Sequence, residues 1–356
     1  MPTAYVVLVS AIVLGVAWVA PALAQPGVVF GVRVPGDHRD DPAITGERRR
    51  YRVLVAVAGL VVLVGGAVVE AFTAWIAVLV VVPVAQVAVV GVAYGRAHAV
   101  VRRAKESGDW YRGKRQVVVA DTPIRSGGSL WLAALPAVGV LVATVVVGIV
   151  RYPDIPDQVT LHFGAGGEGD RFAAKSVGSV FALVIVQAVI TAILLAVAFA
   201  APRARADLDP EDVEGSALRH RRVTRALTHA VLLLAAGVNV CLLLASLAIW
   251  GGARTMPGWL ALMPLLLVAA VIAAVVVHQS DATPGPVPEA VETEVVARDD
   301  DRFWRGGLLY VNGDDPAVLV PKRFGVGWTV NLGNPKTVVG LVVLVVGIVV
   351  LVVATA

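Results

Sequence analysis

The sequence predicts an all-α integral membrane protein of about eight transmembrane helices, with a small hairpin-like cytoplasmic module before the last helix. Three observations predict it. First, 58% of the 356 residues are hydrophobic, only 16% are charged, and mean hydropathy is +0.80. Soluble domains run near 45–50% apolar and roughly 25% charged. Second, the apolar excess falls in runs of about 17–25 residues rather than ~10-residue alternating stretches, which selects helices over a closed barrel. Third, Lys and Arg crowd into every second connection between those runs.

The expected spans are 4–24, 53–69, 71–95, 130–150, 177–201, 227–250, 258–278 and 338–354. The first ends near Ala22-Leu23-Ala24, which is similar to a cleavage site, but no Lys or Arg precedes it. A secretory signal needs a positive n-region, so this segment is expected to stay as a helix. The second and third spans meet at Glu70, expected at the tip of a tight hairpin. Connections 25–52, 96–129, 202–226 and 279–337 hold six, eight, six and six Lys or Arg. The alternate connections hold only Arg151, Arg171, Lys175 and Arg254 of the total of 30. With eight spans all four rich connections fall on one side, which is then cytoplasmic, and both termini lie outside. The location is the cell membrane. The basic balance, +4 overall, follows from topology and does not point to nucleic acid.

This divides the chain into a three-helix region (1–129), a helix-loop-helix unit (130–201) with an outer loop at 151–176, and a two-helix region (202–280). An acidic, Pro-rich tether (281–301), an aromatic and basic module (302–337) and the last helix (338–356) follow. The basic stretch opening 96–129 reads as a surface helix without one clean face. The single cysteine, Cys241, lies inside an apolar run, so no disulfide or CxxC chemistry is available within the chain.

The outer loop, RYPDIPDQVTLHFGAGGEGDRFAAKS, is dense in chemistry-bearing groups: Asp154, Asp157, His162, Glu168, Asp170 and Lys175. VTLHF has strand character, and Gly164, Gly166, Gly167 and Gly169 permit a tight turn. Gly164-x-Gly166-x-x-Gly169 matches a dinucleotide fingerprint, but no βαβ unit surrounds it and no helix follows to hold a pyrophosphate. One histidine with scattered carboxylates gives none of the ligand spacings of a zinc site, and no Ser, Thr or Cys has an activating partner. Neither cofactor nor metal is expected. Three readings stay open: His162 and Asp170 lock the loop through backbone bonds; Asp154, Asp157, His162, Gly167, Asp170 and Lys175 bind a peptide or headgroup; or His162, Asp154 and Asp170 converge as an interfacial enzyme.

Ile155-Pro156-Asp157, Leu161-His162-Phe163, Gly167-Glu168, Asp170 and Lys175-Ser176 together resemble the domain of unknown function 1648, over about Pro136–Phe181. That domain also forms part of the SdpI family of toxin-immunity membrane proteins. Ile155 replaces the usual Leu, and Gly164 replaces a common Asn. The resemblance implies a non-enzymatic immunity or signalling role, with a secreted peptide or toxin outside and a cytoplasmic regulator inside as partners besides the bilayer.

A second resemblance covers 299–336. Trp304, Gly306, Gly307, Tyr310 and Asn312, then Lys322, Arg323, Gly325, Gly327, Trp328, Thr329 and Asn331, are similar to the domain of unknown function 5808. It implies no known reaction. Trp304, Tyr310, Lys322, Arg323 and Trp328 are candidates for a headgroup-level anchor or a partner surface. The alternative is that the aromatics form the module's own core. The phrase Phe-Gly-Val recurs at 30–32 and 324–326, too short to establish a repeat.

A transporter or channel-like bundle is the alternative function. It predicts that Gln86, Gln187 and Asn239 face one water-filled cavity. Pro83 and Pro136 could kink their helices, but no Asp, Glu, Lys or Arg lies at mid-span, which argues against proton coupling.

Overall fold

The computed structural model describes residues 2–25, 27–73, 77–117, 129–164, 166–210, 212–280 and 295–355. The chain is mostly helical, with helices α1 (Pro2–Val19), α2 (Pro42–Thr73), α3 (Val78–Gly108), α4 (Ser129–Arg151), α5 (Val177–Ala200), α6 (Val213–Trp250), α7 (Gly258–Ser280) and α8 (Pro335–Thr355). Six of them, α2 to α7, are long and apolar enough to cross a bilayer. The apolar stretches Tyr5–Val19 and Pro335–Gly347, in α1 and α8, are shorter. The chain therefore has the helices of a multi-pass membrane protein.

Short antiparallel ribbons fill the connections: β1 (Val28–Val29) with β2 (Val32–Arg33), β4 (Gln158–Phe163) with β5 (Gly169–Ala174), β7 (Trp304–Arg305) with β8 (Leu309–Tyr310), and β9 (Leu319–Pro321) with β10 (Trp328–Val330). One parallel pair joins β3 (Arg115–Val117) to β6 (Val295–Ala297).

The helices pack as two three-helix units, α1–α3 and α4–α6, with α7 against α6 and α1, and α8 against α5. Small residues let α4–α6 approach, and polar groups tie them together. Gln187 Nε2 donates to Thr144 Oγ1 at 3.2 Å and to the Asn239 carbonyl at 3.3 Å. Thr191 Oγ1 donates to Asn239 Oδ1 at 2.9 Å, and Asn239 Nδ2 to the Ala137 carbonyl at 2.8 Å. Gln86 lies in the other unit, where its Nε2 donates to the Gly59 carbonyl at 3.3 Å. Gln86, Gln187 and Asn239 thus split between two units and are used in helix packing. They do not line one shared cavity, which counts against the transporter alternative.

Three helices are longer than the hydrocarbon core of a bilayer is thick. At 32, 31 and 38 residues, α2, α3 and α6 reach roughly 47–57 Å against a hydrocarbon core of ~30 Å. Their projecting ends carry Arg48–Arg50, Arg96–Lys105 and Arg219–Arg225. The basic stretch after 96 is therefore the end of α3 and not a separate surface helix. Asp109, in the left-handed region at φ 47°, ends it by donating its N–H to the Lys105 carbonyl. The Glu70 expectation also shifts: α2 continues to Thr73, so Glu70 sits on the helix and not at the hairpin tip. That tip, residues 74–76, lies outside the described residues, as do 281–294 of the expected tether. The end of that tether is not free chain: β6 pairs with β3, and Asp299–Asp301 are packed among cations described below.

Candidate functional site

At one end of the bundle, the connection after α4 folds into a clamped hairpin. Pro153 closes a short 3₁₀ turn, Tyr152–Asp154, that ends α4. Lys175 then reaches back and donates to the carbonyls of Pro153 and Ile155 at 3.0 and 2.8 Å, while its backbone N–H donates to the Asp157 carbonyl at 2.8 Å. Ser176 caps α5 in a reciprocal pair with Ser179: each side chain accepts from the other's backbone N–H. The Lys-Ser pair thus closes the hairpin and starts the next helix.

A partner that the sequence does not announce is the α6–α7 connection. Gly169 donates its N–H to the Arg254 carbonyl, and Met256 its N–H to the Gly167 carbonyl, both at 2.7 Å. Thr160 Oγ1 adds a bond to the Ala253 carbonyl at 3.0 Å. Gly167 has φ +85°, and a Cβ there would stand 2.7 Å from the Met256 carbonyl oxygen, so glycine is required by both backbone and space. Beneath, Ile155, Val159, Val180 and Trp250 form a buried cluster, and the indole of Trp250 donates to the Val180 carbonyl at 3.0 Å.

On this clamp His162 Nδ1 meets Asp170 Oδ1 at 2.7 Å, with both side chains more than half exposed, at 64% and 53%. They bond to each other across β4 and β5 and not to backbone groups, alongside the backbone bonds above. Asp154 and Asp157 are exposed, and no hydrogen bond joins Asp154 to the His162–Asp170 pair. Among the described residues no three His, Cys, Asp or Glu side chains come together as a metal ion would require. Beside the hairpin, Pro156, Gln158, Thr160, Phe172, Gly252 and Arg254 line an open groove of about 310 Å³, with the Arg254 guanidinium over the Phe172 ring at 5.5 Å.

At the opposite end, four connections converge on one buried ionic cluster. Arg33 from the first connection pairs with Asp207 and with Asp300, the latter at 3.4 Å, and its backbone N–H donates to Asp301 at 3.0 Å. Lys105 from α3 pairs with Asp299 at 2.7 Å and Asp301 at 2.6 Å. Arg205 pairs with Asp315 at 2.6 Å. Arg323, only 2% exposed, pairs with both Asp300 and Asp301. Burial opposes charge on Asp300 and Asp301, yet the surrounding cations hold both carboxyls below their usual range: Arg33, Arg323 and Arg205 for Asp300, Arg323 and Lys105 for Asp301. Burial likewise opposes the Arg33 charge, and Asp207 and Asp300 more than restore it.

Two glycine turns complete this junction. Phe30 and Gly31, at φ 45° and 78°, turn β1 into β2; Gly306 and Gly307, at 59° and 69°, turn β7 into β8. The turns meet tip to tip under the Tyr94 hydroxyl, which donates to the Gly306 carbonyl at 3.1 Å. A Cβ on Gly31 would lie 2.3 Å from that hydroxyl and 2.7 Å from the Gly307 Cα. Phe30 and Phe324, the two recurring Phe-Gly-Val phenylalanines, both pack on Tyr51 and Tyr94.

Within the module Trp304, Tyr310 and Val320 form the core. Asn331, fully buried, donates to the Asn312, Asp315 and Ala317 carbonyls and accepts from the Asn312 and Gly333 N–H groups. Asn334 Oδ1 accepts from the Lys336 N–H at 3.0 Å, capping α8 with Pro335 at its first position. Trp304, Tyr310 and Arg323 are thus interior groups, which does not fit the headgroup-anchor reading for them; an anchor must reach the surface, as Lys322 and Trp328 do in part.

Residues 139–188 match the domain of unknown function DUF1648, and residues 314–338 the family of unknown function DUF5808. The chain carries both segments. The first spans the end of α4, the clamped hairpin and the first half of α5. The second is shorter than the stretch read from sequence, and Asn331 is what fastens it to Asn312 and the preceding β7–β8 ribbon. No curated protein and no solved structure is similar enough to extend these matches.

Proposed function

We propose that this chain is a non-enzymatic cell-membrane protein of eight spans, both termini outside, that binds a ligand at the β4–β5 hairpin. The observation that carries this is the exposed His162–Asp170 pair. It is held on a hairpin clamped by other groups, so its side chains remain available for recognition. Arg254, Phe172 and Gln158 beside it supply a cation, an aromatic face and an amide, a donor set suited to a peptide or a headgroup. The SdpI-related resemblance makes a secreted membrane-active peptide the first ligand class to test, with the cytoplasmic module anchoring or reporting. The topology is supported by the ionic cluster: connections 25–52, 96–129, 202–226 and 279–337 meet at one end, as the charge bias requires if α1 and α8 also span.

The test is survival of a null strain challenged with membrane-active peptides and complemented with wild type, His162→Ala or Asp170→Ala at equal membrane abundance. The reading expects protection by wild type and its loss in both variants. Equal protection by all three would remove the hairpin from the function.

A further inference from the structure

The β7–β8 ribbon carries a surface that the fold leaves uncovered. Tyr310 faces the module's interior, so its neighbours in the strand direction, Leu309 and Val311, face away. Leu308, Leu309 and Val311 are 48%, 52% and 38% exposed. Three attachments fix the depth of this surface. Its turn touches Tyr94, two residues before Arg96 ends the apolar run of α3. Gln25, just past α1, donates from Nε2 to the Lys322 carbonyl at 3.2 Å. Lys336 stands in the first turn of α8. The module is therefore held just past α1, beside the end of the apolar run within α3, and at the start of α8, the level at which apolar sequence gives way to charged sequence. Arg302, Arg305, Lys322 and Lys336 are all exposed on it, and apolar side chains rimmed by cations at that depth suit an anionic leaflet.

We infer that the Leu308, Leu309 and Val311 face lies in the interfacial layer of the cytoplasmic leaflet, with the module's cations on anionic headgroups. The inference rests on the membrane topology above and is independent of what the outer hairpin binds. A bilayer is favoured over a soluble partner because the module is attached where the apolar runs of α1, α3 and α8 begin or end and carries exposed cations.

The test uses the full chain with Cys241→Ala and Leu309→Cys, labelled with bimane and reconstituted in phosphatidylcholine vesicles with or without phosphatidylglycerol. Val311→Cys is a second probe of the face, Asp314→Cys an aqueous reference, and Val142→Cys, 53% exposed on α4, a lipid reference. Nitroxide lipid is expected to quench the 309 and 311 labels roughly threefold more than the 314 label, and more strongly with phosphatidylglycerol present. If 309 and 311 respond like 314 to an aqueous quencher while 142 responds to lipid, the face points to the cytoplasm and the inference fails. Protection of 309 and 311 from both quenchers would show a protein cover and also overturn it. Silence of 142 toward lipid would overturn the membrane topology itself, and this inference with it.

Discussion

The two ends of the bundle handle charge in opposite ways. At the β4–β5 hairpin, backbone bonds, the Lys175 side chain and a tryptophan-centred cluster hold the fold, and the charged side chains His162, Asp170, Asp154 and Asp157 are left at the surface. At the opposite end the charges are themselves the joint. Arg33, Lys105, Arg205 and Arg323 are spent on Asp207, Asp299, Asp300, Asp301 and Asp315. A polar residue free of structural duty is a candidate for recognition, whereas one buried in a network is committed to assembly. The difference teaches where function is to be sought: both ends carry charged side chains, and burial separates those committed to the fold from those left exposed.

The comparison breaks first at Arg323. Arg323→Ala leaves Asp300 and Asp301 short of a buried partner and should cost about 3–5 kcal/mol, read as protease cutting of the module in vesicles or lowered thermal stability. Loss below about 1 kcal/mol would mean that the cluster is not a joint. Next, Gly31→Ala or Gly307→Ala forces a Cβ into the facing turn at positive φ and should cost roughly 1–3 kcal/mol, seen as faster amide exchange in both ribbons.

Acidity sharpens the contrast. Asp300 and Asp301 have depressed pKa values in the folded chain, so the unfolded chain takes up protons first as pH falls. Their contribution is complete above the ordinary carboxyl range, near 4, and is lost as pH drops through the lower folded values. Module protection should therefore hold from pH 7 to about 5 and fall below about 4. A loss near pH 6 would implicate a histidine instead. The smallest stability effect belongs to the His162–Asp170 pair: Asp170→Ala removes an exposed hydrogen bond and should change stability by less than about 1 kcal/mol, while abolishing protection in the survival assay. A large melting shift would instead assign the pair to the fold.

Much of this architecture is legible in the chain. Unbroken apolar runs reveal the membrane-capable helices because a helix satisfies its own backbone in hydrocarbon, and the charge alternation reveals which connections meet. VTLHF followed by a glycine-rich turn reveals the hairpin. The clamp at Ala253–Met256 is not legible, because Thr160 finds Ala253 through a backbone carbonyl, which any residue supplies. Asp299–Asp301 read as solvated tether since composition cannot distinguish an acid facing water from one facing arginine. Gly306 and Gly307 stand out in the sequence only through the resemblance that includes them, and neither their turn nor its contact with Gly31 is legible there. Phe30 hides its turn further, being a bulky residue in a conformation usually left to glycine.

The junction also fixes an order of events in the life of the chain. Arg33 is made early, yet Asp300 follows it by 267 residues, on the order of tens of seconds of synthesis. Until then a guanidinium destined for the interior has, of its two carboxylate partners, Asp207 alone, and the Phe30–Gly31 turn, packed on Tyr51 and Tyr94, lacks the facing Gly306–Gly307 turn. Asp299–Asp301 thus close a junction that Arg33 and Lys105 open, and a chain that stops before them leaves those two cations without these carboxylates.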